Sequence, residues 1–313
     1  VIDERLAVLI GGGQVTNRFR GLDDVVEPVA LMAEALRRAA ADADATGGLL
    51  AALERIVVVA GAWPYPDPGA IIADQVRASG AATALTHTGG DVPLTTLGSL
   101  ADAITHGDLD VGAIVGGESI YGRQKLRRAG RRLSSIRTHH APAARLGTEL
   151  DMSDPVADER GLDRPPHVYP LFESALRAHH GESHDDHRER VGGLWEGLNR
   201  TAVANEYAWT RSPMSAQAII TPSVANRMVA WPYTKVMNSN WFVDQGAAVI
   251  VCSMAAARRF GVAPERMVFM HSVASGHAPN RVLERLHLHD SPSIRETGRA
   301  ALRLAGVGVD DVA

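Results

Sequence analysis

Cysteine is nearly absent: Cys252 is the only one in 313 residues. That excludes an intramolecular disulfide and suits a reducing cytoplasm. Long apolar runs are missing as well, and none approaches the ~20 residues that a membrane-spanning helix needs. No signal-peptide pattern opens the sequence. Charge of one sign is not in excess. The formal net charge is −4, which gives no pull toward nucleic acid or a membrane surface. What is present is ordinary for a soluble globular chain, with 45% hydrophobic and 22% charged residues. The length suffices for a large core or for two domains. A soluble, cytoplasmic protein without nucleic-acid or membrane partners is expected.

The pattern along the chain alternates. Leu6 to Ile10 reads as a buried strand ended by Gly11-Gly12-Gly13. A dinucleotide site would need G-x-G-x-x-G opening a helix, but Val15 and Thr16 follow, so that reading is set aside. Pro28 to Asp44 has helical periodicity, Arg55 to Ala60 reads as a strand, and Ala70 to Gly80 as a helix. Thr83 to Thr88 is a short β-branched run broken by Gly89-Gly90. Asp91 reads as an N-cap with Pro93 in the first turn. Leu94, Leu97, Leu100, Ala101 and Ile104 then recur at helical spacing down to Gly107. Val111 to Val115 is the next strand, closed by Gly116-Gly117. This order predicts a mostly parallel sheet covered on both faces.

The stretch from Thr83 to Gly122 resembles the centre of the first half of a thiolase. In that family a strand ends in a sharp turn carrying a nucleophilic cysteine, with a helix directly behind it. The following strand runs into a GGxESM-type sequence, here Gly116-Gly117-Glu118-Ser119-Ile120. A helix N-terminus suits a thiolate, because the dipole and free N–H groups lower its pKa. The family's Cys-x-Ser turn is here Gly89-Gly90-Asp91, so Gly89 stands at the nucleophile position. A second resemblance lies in 231–253, where Asn238 and Asn240 precede Asp244-Gln245-Gly246-Ala247-Ala248 and a strand to Cys252. Pro232-Tyr233-Thr234-Lys235 followed by Val243-Asp244-Gln245-Gly246 is similar to sterol-carrier-protein-type thiolases and actinobacterial thiolase-like proteins. Cys252, inside an apolar strand, reads as structural.

The resemblance implies an α/β thiolase fold: layered αβαβα, with two similar β-α halves and a helical loop-domain insertion. Residues 1–122 and 223–260 would form the first half, 123–222 the loop domain, and 261–313 the start of a second half, incomplete in this chain. A weak repeat supports this, Ala35-Leu36-Arg37-Arg38-Ala39 against Ala301-Leu302-Arg303-Leu304-Ala305. Met267 to Ser272 reads as a strand and Pro292 to Ala305 as a helix. The family's Asn-Glu-Ala-Phe, Gly-His-Pro and Cys-x-Gly loops would lie beyond Ala313, so the chain is expected to be part of a longer protein.

From Arg123 the character changes. Arg123, Lys125, Arg127, Arg128, Arg131 and Arg132 form a basic run, read either as a solvated face or as facing the phosphates of coenzyme A. Histidines crowd between His139 and His187. His179, His180, His184 and His187 lack a distant ligand partner, and Ser183-His184-Asp185-Asp186 reads as a capping box, so no metal is assigned. Helical patterns occur near 170–180, 184–197 and 198–208.

The resemblance places coenzyme A between the insertion and the loop after the Met267 to Ser272 strand. His271, Ser272, Ser275 and Gly276 are then candidate pantetheine contacts, and Arg127 and Arg128 candidate phosphate contacts. Expected is a thiolase-like acyl-CoA-binding protein of lipid and acyl-CoA metabolism without ordinary thiolase turnover. The alternatives are an acyltransferase or thioester hydrolase using residues beyond Ala313, or a non-catalytic assembly subunit. Coenzyme A ester is its ligand or substrate, and no other cofactor is called for. A homo-oligomer or a protein partner is expected from the family.

Overall fold

The computed structural model describes residues 3–133, 144–149, 151 and 154–312; His139 lies outside them. The chain divides into two units. Residues 1–149, 241–273 and 302–313 form the first, and 150–240 with 274–301 the second.

The first unit is built on one seven-stranded sheet. Its strands and helices alternate as β1 (Ala7–Thr16), α1 (Pro28–Asp42), β2 (Arg55–Val58), α2 (Pro68–Val76), β3 (Ala82–Thr86), α3 (Val92–His106), β4 (Val111–Ser119) and α4 (Ile120–Arg128). The short β5 (Ala144–Leu146) follows. The second unit contributes α5 (Pro155–Glu159), α6 (Pro165–His180), α7 (His184–Ala204), α8 (Ala216–Ile220) and a small hairpin, β6 (Met228–Ala230) with β7 (Tyr233–Thr234). The chain returns to the first unit with β8 (Asp244–Ser253), α9 (Met254–Arg259) and β9 (Val268–Phe269). α10 (Pro292–Ala305) comes last.

Strand order is β5-β3-β2-β4-β8-β1-β9. The β5-β3-β2-β4 block is parallel, as the pattern predicts. β8 is not: it runs antiparallel to both β4 and β1, and β9 antiparallel to β1. The sheet is therefore mixed, because β8 enters after a long insertion rather than through a β-α crossover.

The central strands are buried in continuous runs, as a sheet covered on both faces requires, and the face on which each side chain packs alternates with a period of two. Ile56 and Val58, Val111, Ala113 and Val115, and Ile250 and Cys252 pack on the side of α1 and α2. Val57, Ile114 and Val251 pack on the other side with Leu100 and Ile104 of α3. α1 alone buries Val29, Leu31, Met32, Leu36 and three alanines. Each large side chain contributes about 1.5–3 kcal/mol.

Two glycine runs expected to end strands instead continue them. β1 passes through Gly11-Gly12-Gly13, pairing with β8 as far as Thr16↔Gln245. A Cβ on Gly11 or Gly13 would collide with backbone of α1 at Ala39 and Ala35, whereas one on Gly12 would meet nothing within 4 Å. The glycines let a helix lie directly on the strand; they do not make a turn. β4 likewise runs through Gly116-Gly117, because Gly117 faces Gly246 across the β4–β8 pair.

In the second unit, the helices expected at 184–197 and 198–208 are one helix, α7, since no proline or cap interrupts it. Ser183 caps it, accepting a hydrogen bond from the Asp186 N–H at 3.1 Å. The expected strand at 267–272 narrows to the two residues of β9, on the edge beside β1. α10 has the expected bounds but buries no residue fully, unlike α1.

Candidate functional site

The strand-to-helix turn after β3 forms as its sequence predicts, with residues 87–91 between β3 and α3. Gly89 sits there, with space for a Cβ limited by Val92 at 2.9 Å and Asp91 at 3.0 Å. Asp91 occupies the N-cap of α3 but makes no side-chain capping hydrogen bond, a correction to its expected role. Its backbone sits in the helical region (φ −86°, ψ −15°), not the extended geometry that aims a cap side chain at the first turn. Its carbonyl instead accepts from Leu94 and Thr95. The His87 N–H donates to Leu146 O at 2.8 Å, tying the turn to β5. The Thr88 N–H lies 3.2 Å from a Glu149 carboxylate oxygen. Sequence reasoning missed Glu149, which is remote in the chain and brought in by β5.

Beside this turn, at the C-terminal ends of β2, β3 and β4, lies a cavity of about 590 Å³. That is where open α/β sheets bind ligands. Thr88, Gly61, Gly117, Glu118, Gln245 and Trp241 are among its walls. Glu118 is the ionisable side chain facing it. Its carboxylate accepts from the Ala62 N–H and meets Arg123 Nη2 at 3.3 Å. Burial pushes its pKa up, opposed by the Ala62 N–H and by Arg123.

The two motif segments meet in register: Gly117↔Gly246, Glu118↔Gln245, Ser119↔Asp244. Asp244 is fully buried and closes the N-terminus of α4, accepting from the Gly122 N–H at 3.0 and 3.1 Å. Desolvation raises its pKa, opposed by the Gly122 and Tyr121 N–H groups. A Cβ on Gly122 would stand 2.5 Å from Asp244 Oδ2, so the glycine permits this approach. Asp244 holds α4 in place and is not directed into the cavity walls.

α4 was not anticipated as a helix. It ends in a Schellman turn: Gly130, at φ +68°, donates to Arg127 O, and Arg131 donates to Leu126 O. The turn folds Arg131 and Arg132 back toward Arg123 and Arg127, and the four line a cleft of about 640 Å³. Glycine behind a basic last turn was the readable signal for it. Arg131 is paired with Asp23 at 2.5 Å. Among the described residues, Arg127 and Arg132 make no ion pair. Arg128, named with Arg127 from the sequence, does not line this cleft.

His271, Ser272, Ser275 and Gly276 line neither cavity. Val273 packs against Gly98 of α3. The space a Gly276 Cβ would take is held by Thr297 at 2.8 Å and Ser293 at 3.2 Å, so this glycine accommodates α10. Cys252 is fully buried between Val8 and Val111, and desolvation pushes its thiol up to about 12.

The histidine cluster resolves into packing. His187 is fully buried, with Nδ1 2.6 Å from Glu182 and Nε2 3.1 Å from Glu173. The second is a close contact without hydrogen-bond alignment. Arg190, then His187, hold the Glu182 carboxyl down at about 2. Tyr233 donates to Glu173, and the Trp231 ring stacks on His187. His179 stacks on His289 at 4.3 Å. Among the described residues no group of His, Cys, Asp and Glu is arranged to hold a metal, and no helix is long and apolar enough to cross a membrane.

No family model and no curated protein matches the sequence. Solved structures do. A monomeric SCP2-thiolase-like protein type 1 from Mycobacterium smegmatis is 28% identical, with a TM-score of 0.81 over 100% of this chain. This chain spans 60% of that protein's length. An Ltp2-ChsH2(DUF35) aldolase is similar at 17% identity and a TM-score of 0.67, over 98% of this chain and 71% of that one. The dimeric peroxisomal thiolase of Saccharomyces cerevisiae is similar at 14% identity and 0.54, over 84% and 68%. The last two show the shared fold. With its two motif strands paired in register, the chain has the thiolase fold and is similar along its whole length to an SCP2-thiolase-like protein.

Proposed function

We propose that this chain binds a coenzyme A thioester in acyl-CoA metabolism and does not carry the acyl group covalently. The observation behind the second half is the turn after β3. The scaffold that would activate a thiolate is in place, yet Gly89 stands on it. Cys252 offers no substitute, being sealed inside the sheet with its thiol held protonated. Thr88 reaches the cavity, but its neighbour Glu149 is placed on its backbone N–H. Loss of a covalent nucleophile typically costs roughly 10⁶ in turnover.

The first half is supported by a glycine-walled cavity together with an arginine cleft of the chemistry that phosphates favour. Intact-mass spectrometry after incubation with acetyl-CoA is expected to show no adduct. A stable acetyl group mapping to residues 83–95 refutes the non-covalent reading. Calorimetric titration with coenzyme A tests the placement. Arg127→Ala is expected to weaken binding roughly tenfold, the range of one charge-assisted hydrogen bond, and Arg128→Ala to leave it unchanged. Equal effects from both would remove the cleft from the site. The neighbour described as an Ltp2-ChsH2(DUF35) assembly adds a protein partner to the readings that co-purification can test.

A further inference from the structure

The arginine cleft and the glycine-walled cavity share a wall. Arg123 lines the first and Glu118 the second, and the two side chains touch at 3.3 Å. The same Arg123 nitrogen, Nη2, also donates to Ala62 O at 2.9 Å. The Ala62 N–H in turn donates to the other Glu118 oxygen. Ala62, Glu118 and Arg123 thus form a closed ring between two compartments. The rest of the Arg123 guanidinium makes no hydrogen bond among the described residues and belongs to the cleft.

We propose that the cleft is a site for a sulfate- or phosphate-class dianion whose binding is coupled to proton uptake: the anion draws Arg123 off Glu118, and Glu118 takes a proton from solvent in exchange.

The argument is one of competition. A planar guanidinium donates best to an oxyanion that presents two acceptors, and a dianion between Arg123, Arg127 and Arg132 outbids a single carboxylate contact at 3.3 Å. Glu118 is already destabilised as an anion by burial, with Arg123 as the opposing cation. Removing that cation while a negative ligand arrives moves both terms the same way, toward the neutral acid. Asp244 on β8 and Tyr65, before α2, also feel the Arg123 charge, but as a lesser influence than their other surroundings: Asp244 is held first by the Gly122 and Tyr121 N–H groups, and Tyr65 is governed by burial and by Glu27. The flat profile expected of Glu118→Gln separates Glu118 from both. The outcome is a neutral carboxylic acid, with an O–H to donate, facing the cavity only while the cleft is filled. The inference rests on the cleft being an anion site, not on the anion being coenzyme A.

Sulfate, which stays fully ionised in the range used, is the probe. Calorimetric titrations from pH 5 to 8 are expected to show affinity falling as pH rises, by up to tenfold per unit for one linked proton. Repetition in buffers of different ionisation heat is expected to show uptake of between zero and one proton per sulfate. Glu118→Gln frees Arg123 without a titrating group, so it is expected to bind more tightly at pH 8 and with a flat profile. Sulfate binding with no proton uptake overturns the coupling while leaving the cleft's part in thioester binding standing. Absence of sulfate binding overturns both. If the glutamine variant does not fold, the proton count on the unmodified chain decides alone.

Discussion

The triple glycine of β1 offers a sharp physical test, because its three members should behave in two opposite ways. None of Gly11, Gly12 and Gly13 has a positive φ, so alanine is conformationally acceptable at each and only space distinguishes them. At Gly13 a Cβ would lie 2.5 Å from Ala39 N, and at Gly11 3.1 Å from Ala39 C and closer still to its oxygen. Ordinary carbon contacts lie at about 3.5–4.0 Å, so α1 must retreat by about 1 Å. The obstructing atoms are helix backbone, with no rotamer to yield, and the helix carries much of the core. Overpacking costs about 1–3 kcal/mol, and these two sites belong at the upper end. For a unit of this size about 3 kcal/mol corresponds to a melting temperature lower by roughly 6–12 °C. Gly12→Ala meets nothing and restricts the unfolded chain, so it should stabilise by about 0.4–1 kcal/mol. Thermal unfolding of the three variants followed by circular dichroism is the measurement. Three equal losses would show that the glycines serve a turn or a ligand, and that the close packing of α1 on β1 is wrong.

Cys252 should be unreactive toward a disulfide reagent in the native protein and react only on unfolding; fast native labelling would contradict its burial. Its raised pKa also fixes a sign. Native Cys252 stays protonated to about 12, while the unfolded thiol ionises from about pH 8.5. Stability present below 8.5 is therefore lost as pH climbs between these values, and Cys252→Ser should flatten that limb of the curve. At the other end of the sheet, β5 pairs with β3 through Ala84↔Ala144 to Thr86↔Leu146. Arg145→Pro with Leu146→Pro should strip that pairing, expose β3 and raise the mass seen by light scattering relative to the unmodified chain. An unchanged mass would show that β5 is not what covers the edge.

Much of the fold was legible because its signals are long and periodic. α3 and α10 have the expected bounds, since apolar spacing and proline or glycine punctuation agree there. The glycine runs misled because glycine marks both turns and close approaches, and only the helix lying over Gly11 and Gly13 decides which. β5 was not readable at all. Three residues carry no period, and the strand exists because β3 offers an open edge. Arg127 and Arg128 looked equivalent in sequence. Only a helix followed by a left-handed Gly130 turns one toward Arg131 and Arg132 and leaves the other out. Asp244 was legible as part of a motif, but its task, closing the N-terminus of α4, depends on a β4–β8 register that no local pattern encodes.

The position of β8 has a consequence for the order in which the protein is made. β1 and β4 are not neighbours; each finds its partner in β8, which stands between them. β4 ends at Ser119 and β8 begins at Asp244, some 125 residues later. At about 5–20 residues per second of synthesis, an emerging chain waits roughly 6–25 s with β1 unpaired and one side of β4 open. The β2–β3–β4 block can assemble on its own during that interval, since its contacts are local. β1 cannot, and the apolar face of α1 waits with it. Non-local closure of this kind is slow, so the nascent first unit is a natural client for chaperones until the second unit has been synthesised and β8 arrives to complete the sheet.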